Sequence, residues 1–205
     1  MASRHPGIHT PPPRSARSRR VPARMTLREF AAFDAARTDE KWELIEGVPC
    51  MTPSASGPHN NLARFLAGKL EAALGASESF VVCDTSARLP GTDSEVRPDV
   101  AVYRQADLGD PDEVPIRALP RLVVECLSPS TAARDMVEKP ALYYKAGVPE
   151  YWVVDPKTGA ISLFVHKKTG YEQLTVDPKG FIRSPLLKRN LRIVVKPWTF
   201  EILEN

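Results

Sequence analysis

Three things are missing from this chain: long apolar runs, paired cysteines and an even spread of charge. No hydrophobic stretch approaches the ~20 residues that a membrane-spanning helix needs. Nor does an apolar segment follow the N-terminal arginines to serve as a secretion signal. The only thiols, Cys50, Cys83 and Cys126, are far apart. None belongs to a C-x-x-C pair, which argues against a zinc site. An odd number of thiols in strand-like runs fits a reducing compartment, so a soluble, cytoplasmic protein is expected.

Acids are absent from residues 1–24, which hold six arginines (Arg4, Arg14, Arg17, Arg19, Arg20 and Arg24) and five prolines. Such a segment cannot bury enough apolar surface to offset its ordering entropy, so a disordered basic tail is expected. It reads as an arm that holds nucleic acid by counterion release, as a transit peptide, or as sequence upstream of a natural start at Met25. The last reading is preferred, because the prolines spoil an amphipathic helix. Without the tail, 22 basic residues face 25 acidic ones, so the remainder carries −3 and the formal +3 belongs to the tail. Nucleic-acid affinity in residues 25–205 would then have to come from a local patch.

What is present is enough for one ordinary globular domain over 25–205: the 205-residue chain is 42% hydrophobic and 26% charged, and needs no disulfide or metal to fold. Thr26 and Glu29 form a capping-box pair at the start of a short helix through Phe30 and Phe33. Residues 42–45 and 48–51 read as strands joined by a Glu46-Gly47 hairpin turn. From about 58 to 74, Leu62, Phe65, Leu66, Leu70, Ala73 and Leu74 recur at helical spacing, and Gly75 supplies the stop. Strands follow at 80–83, 86–89 and 99–103. Residues 121–127 are the most apolar strand, which predicts a central position covered on both faces. A second helix is expected over 134–146, then strands at 151–154, 161–165, 171–175 and 191–195. The pattern predicts an α/β or α+β fold: a mixed, mostly antiparallel central sheet flanked by helices, with additional antiparallel hairpins.

Glu125 is the anomaly. It sits inside Leu122-Val-Val-Glu-Cys-Leu127, where an ionised carboxylate is costly unless a cation meets it. Asp99 opens a neighbouring strand after Pro98. If the two strands are adjacent, the carboxylates converge at one sheet end, and a divalent cation would relieve their repulsion. The alternative is structural: Glu125 pairs with Arg97, Arg121 or Lys139, and Asp99 caps a turn.

Several segments occur together in order: Met25-Thr-Leu-Arg-Glu-Phe30, Trp42-Glu-Leu-Ile-Glu-Gly47, Met51-Thr-Pro53 with His59, Arg97-Pro-Asp99, Leu122-Val-Val-Glu-Cys-Leu-Ser-Pro-Ser130, Arg134-Asp135, Glu138-Lys139 and Tyr144-Lys-Ala-Gly-Val-Pro-Glu-Tyr-Trp-Val-Val-Asp155. Together they resemble the Uma-two family of putative restriction endonucleases, a branch of the PD-(D/E)XK nuclease superfamily, over nearly all of residues 25–175. The resemblance implies a restriction-endonuclease-like fold and a Mg²⁺- or Mn²⁺-dependent endonuclease acting on DNA. It implies Asp99 and Glu125 as catalytic acids and metal ligands, joined by the Cys126 backbone carbonyl. The superfamily lysine two residues after the glutamate is replaced by Leu127, and the family pattern shifts that role to Lys139, with Lys145 and Arg134 as weaker substitutes. Pro140 after Lys139 departs from the pattern, and so does Val48 where a third acid often stands.

Glu43 and Glu46 are accessory candidates for a further carboxylate, though a turn glutamate such as Glu46 is as readily a solvated tip. His59 is a third accessory candidate, against the commoner role of a capping or hydrogen-bonded histidine. Asp155 before proline reads as a turn former. Tyr143, Tyr144, Tyr151 and Trp152 fit the core or a dimer interface better than base stacking. The rival to the enzyme is a catalytically silent interaction or DNA-binding module with the same fold, and a homodimer is expected in either case.

Overall fold

A computed structural model describes residues 21–110, 112–128, 132–196 and 199–204, with the backbone alone for 199–201 and 203. The predicted tail therefore lies outside the described residues, apart from 21–24, which are exposed. The chain opens with helix α1 (Leu27–Ala35), and both halves of its Thr26–Glu29 capping box are made. Strands β1 (Lys41–Ile45) and β2 (Val48–Thr52) form a hairpin. Its turn places Glu46 and Gly47 at positive φ, the geometry a two-residue hairpin turn demands. Helix α2 (Gly57–Leu74) starts at a Ser56 cap and stops at Gly75. Its Leu62, Leu66 and Leu70 are almost wholly buried, worth roughly 1.5–3 kcal/mol each.

Among the described residues, eleven of the thirteen strands lie beyond α2: β3 (Ser79–Cys83), β4 (Ala87–Arg88), β5 (Glu95–Val96), β6 (Val100–Arg104), β7 (Leu122–Cys126), β8 (Glu150–Val154), β9 (Ile161–Lys167), β10 (Gly170–Gln173), β11 (Ile182–Ser184), β12 (Arg189–Lys196) and β13 (Thr199–Glu204). The central sheet has the order β10-β9-β8-β7-β6-β3. Only β7 and β8 run parallel, and the helix between them supplies the crossover. Every residue of β7 and β8 is buried, as continuous apolar runs covered on both faces should be. One face packs against α2 and the small sheet β11-β12-β13, through Leu66, Val124, Trp152 and Leu191. The other packs against Leu142, Tyr143 and the sheet β2-β1-β5-β4, through Val123, Val153, Val96 and Leu89.

The expected helix over 134–146 is two segments. Arg134–Glu138 is a π-helix and α3 is Lys139–Ala146. Pro140 explains the break: it has no N–H for a carbonyl four residues back, and it is tolerated only in a first helical turn. The Lys139 N–H bonds instead to the Arg134 carbonyl, five residues back. The short strands β5 and β11 and the six-residue β13 were not expected from the sequence, and Asp99 lies one residue before β6 rather than inside it. No helix among the described residues is long and apolar enough to cross a membrane.

Candidate active site

Strands β6 and β7 pair antiparallel, with Val100 opposite Val124 and Ala101 opposite Val123. One step further in that register, Asp99 falls opposite Glu125. Both side chains line one cleft of about 570 Å³, together with Glu43, His59, Asp135 and Lys139. The two acids therefore converge, and four elements surround them.

Each side chain is fixed by its element. Glu43, on β1, lies under the hairpin: its Oε1 accepts from the Arg97 N–H at 2.9 Å and its Oε2 from the Thr52 hydroxyl at 3.3 Å. Asp99 Oδ2 accepts the Cys126 N–H at 2.7 Å. It also lies 3.0 Å from His59 Nε2, which α2 brings in from the opposite layer. The other ring nitrogen of His59, Nδ1, is buried without a hydrogen-bond partner among the described residues. From α3, Lys139 Nζ reaches Glu125 Oε1 at 2.8 Å and Glu43 Oε1 at 3.2 Å, with Asp135 Oδ1 at 3.6 Å. The Tyr143 hydroxyl donates to the same Glu125 oxygen at 2.8 Å.

The charge balance follows. Glu43, Glu125, Asp135 and Lys139 are all at least 95% buried. Burial pushes the Glu125 carboxyl well above its ordinary value; Lys139 draws it back, while Asp99, Asp135 and Glu43 push it further up. Burial alone would pull the Lys139 ammonium down, but the charges of Glu125, Glu43 and Asp135 outweigh it and hold the pKa above that of a free lysine. Burial likewise pulls His59 down, and its hydrogen bond and charge attraction to Asp99 more than restore it. Three acids thus share one ammonium, with Arg134 adding a cation 3.7 Å from Glu43.

Asp99, Glu125, Lys139, Glu43 and His59 come together as candidates in one place. Cys126 contributes only through its main chain; its side chain is buried in the core, where desolvation pushes the thiol well up. Glu46 is not in the cleft. It sits at the hairpin tip, paired with Lys145 at 2.8 Å, so neither residue reaches the other acids. Asp155 accepts from Lys157 and Thr158 within its turn. Tyr143, Tyr151 and Trp152 are buried, and Tyr144 stacks on His166. Sequence reasoning passed over Asp135 and Tyr143 as site residues. Their spacing from Lys139, four residues before and after, was the available signal, because i and i+4 share a helix face.

Among the described residues, no group of three or more His, Cys, Asp or Glu side chains is placed to hold a metal ion. Among the cleft's carboxylates, those of Asp99 and Glu125 stand across from one another at the end of β6 and β7, and carboxylate oxygens are hard donors. Both carboxylates already meet positive charge, from His59 and Lys139. That set suits Mg²⁺ or Mn²⁺, which take one or two carboxylates and fill their other positions with water.

The model of a family described as "Uma2: Putative restriction endonuclease" matches residues 27–196. Among solved structures, the chain is similar to a putative nuclease belonging to DUF820 from Anabaena variabilis ATCC 29413. The TM-score is 0.62 at 19% identity, covering 80% of this chain and 91% of that one. At that identity the likeness shows the fold. No curated protein matches.

Proposed function

From its membership of the Uma2 family, to which the chain belongs, and from its restriction-endonuclease-like fold, we propose that it is a Mg²⁺- or Mn²⁺-dependent endonuclease hydrolysing DNA phosphodiester bonds. The observation that carries the proposal is the convergence of Asp99 and Glu125 in one cleft, with Lys139 Nζ 2.8 Å from Glu125. Asp99, Glu125 and the Cys126 carbonyl would hold the ion. The chemistry expected of it there is Lewis acidity toward the phosphodiester and a lowered pKa of water.

The chain's own residues do the rest. Lys139 is charged throughout the neutral range, so it can orient the attacking water by hydrogen bonding and counter the negative charge that develops on the phosphate. Glu43 and Asp135 hold its ammonium in place from two sides. His59 and the Cys126 N–H fix the Asp99 carboxylate in one orientation, and Tyr143 does the same for Glu125.

The buried Lys139–Glu125 pair favours a second reading, in which the network is structural and the chain is a catalytically silent binding module. Plasmid nicking with Mg²⁺ or Mn²⁺ separates the two. The enzyme nicks, EDTA stops it, and Asp99→Ala and Glu125→Ala each lower the rate by at least about 10²-fold. Wild type as silent as both variants would refute the enzyme. Light scattering of the full chain tests the expected homodimer.

A further inference from the structure

The floor of the cleft is rich in acid: Glu43, Asp99, Glu125 and Asp135 are set against Lys139 and His59. A polyanion entering it is repelled unless its phosphates meet positive charge on the walls. Most wall cations are already engaged. Lys41 is bonded to Asp84, and Arg97 faces Asp34 at 4.0 Å. Arg64 differs. It lines the cleft from the second turn of α2, is exposed, and has no acid within ion-pair distance among the described residues. Asn60, four residues earlier on the same helix face, lines the cleft beside it.

Arg64 stands near the chemistry rather than at a remote rim. Burial raises the Cys83 thiol, Asp99 and Asp84 raise it further, and Arg64 is the cation that pulls it back. Arg64, Cys83 and Asp99 line the same cleft. Along α2, Arg64 is five residues beyond His59, which contacts Asp99. That is about 7.5 Å of helix rise. That separation is of the order of the distance between neighbouring phosphates on one strand, so a strand whose phosphate sits at Asp99 can present a neighbouring phosphate to Arg64 in the same cleft.

Resting on the nuclease reading above, we propose that Arg64 is a positioning residue that holds a backbone phosphate next to the cleaved bond, whatever the base sequence. A guanidinium can hold two phosphate oxygens at once, and it costs little to desolvate compared with an ammonium.

The test uses the full chain, with Arg64→Ala and Arg64→Lys, on two duplex oligonucleotides of unrelated sequence. Binding is read by fluorescence anisotropy in EDTA across a salt series, and cleavage by kcat and KM with Mn²⁺. Arg64→Ala should weaken binding about tenfold, equally on both sequences, and should reduce the slope of log affinity against log salt by about 0.9. Arg64→Ala should also raise KM about tenfold, and Arg64→Lys should restore the slope. An unchanged salt slope in Arg64→Ala overturns the phosphate contact, even where wild type cleaves. A loss confined to one sequence overturns it too, by making Arg64 a base reader. If the slope falls as expected but wild type never cleaves, the contact stands and the nuclease reading fails.

Discussion

Replacing Lys139 by methionine keeps the volume of the side chain and removes its charge. In the folded chain, Glu125 Oε1, Glu43 Oε1 and Asp135 Oδ1 lie 2.8, 3.2 and 3.6 Å from the ammonium. Without it they face one another in a buried space. Breaking a buried pair by removing one partner costs about 3–5 kcal/mol, out of a total stability of roughly 5–15 kcal/mol for a domain. The variant can relieve the repulsion only by taking up protons. Burial already raises Glu125, and Lys139 is the charge that draws it back. In the variant its folded pKa therefore stands still further above the unfolded value of about 4.3. A raised pKa means the folded state binds more protons than the unfolded state, so stability falls as pH rises through the folded value. Urea unfolding between about pH 5 and pH 8 should then show a deficit against wild type near 1–2 kcal/mol at the acid end and about 3–5 kcal/mol at the alkaline end. Mn²⁺ at a hundred times its Kd for the variant should raise the variant's own stability by about 2.7 kcal/mol, and should narrow the gap to the extent that it binds the variant more tightly than wild type. A deficit that is the same at every pH would refute the shared-ammonium account.

Two further predictions concern His59 and Gly159. The folded pKa of His59 is raised, because its bond to Asp99 and their charge attraction outweigh burial. Its contribution is therefore fully present below about 6.5, the unfolded value, and is lost as pH rises through the folded one. In EDTA, His59→Ala should cost roughly 1.5 kcal/mol near pH 6 and distinctly less near pH 9; a flat difference would make the imidazole a packing group only. Gly159 has φ +74°, and a Cβ there would lie 2.5 Å from the Ile193 carbonyl oxygen on β12. Gly159→Ala should cost more than about 1 kcal/mol, read as a Tm lowered by roughly 2–4 °C or more. An unchanged Tm would show that the turn after Asp155 does not press on β12.

Much of the fold could be read locally. The Thr26–Glu29 box, the Glu46-Gly47 turn, the leucine stripe of α2 and the runs of β7 and β8 are each set by residues within a turn or two of one another. What escaped was short or non-local. The two residues of β5 hold their place because Glu95 pairs with Leu44, about fifty residues earlier, as well as with nearby Arg88. The edge strand β11 is anchored when Ser184 donates its hydroxyl to Glu150 at 2.7 Å. The π-segment before Lys139 was implicit in Pro140, whose missing N–H alters the helix register.

The sequence by itself determined that Glu125 needs a cation, because an ionised carboxylate in the middle of an apolar strand cannot go unpaired in any fold. It also pointed to Asp99, by its place after Pro98 at the head of a neighbouring strand, and to Lys139 as one of three possible partners of Glu125; only the family pattern gave Lys139 a catalytic role. Only the tertiary structure decided which groups share the charge. The antiparallel register of β6 and β7 sets Asp99 across from Glu125, and α2 and α3 bring His59 and Lys139 to that end from opposite faces. It likewise kept Glu43 in the cleft and turned Glu46 out of it, three residues away. Electrostatic energy depends on distance and on exclusion of water, and both arise from contacts between residues far apart along the chain.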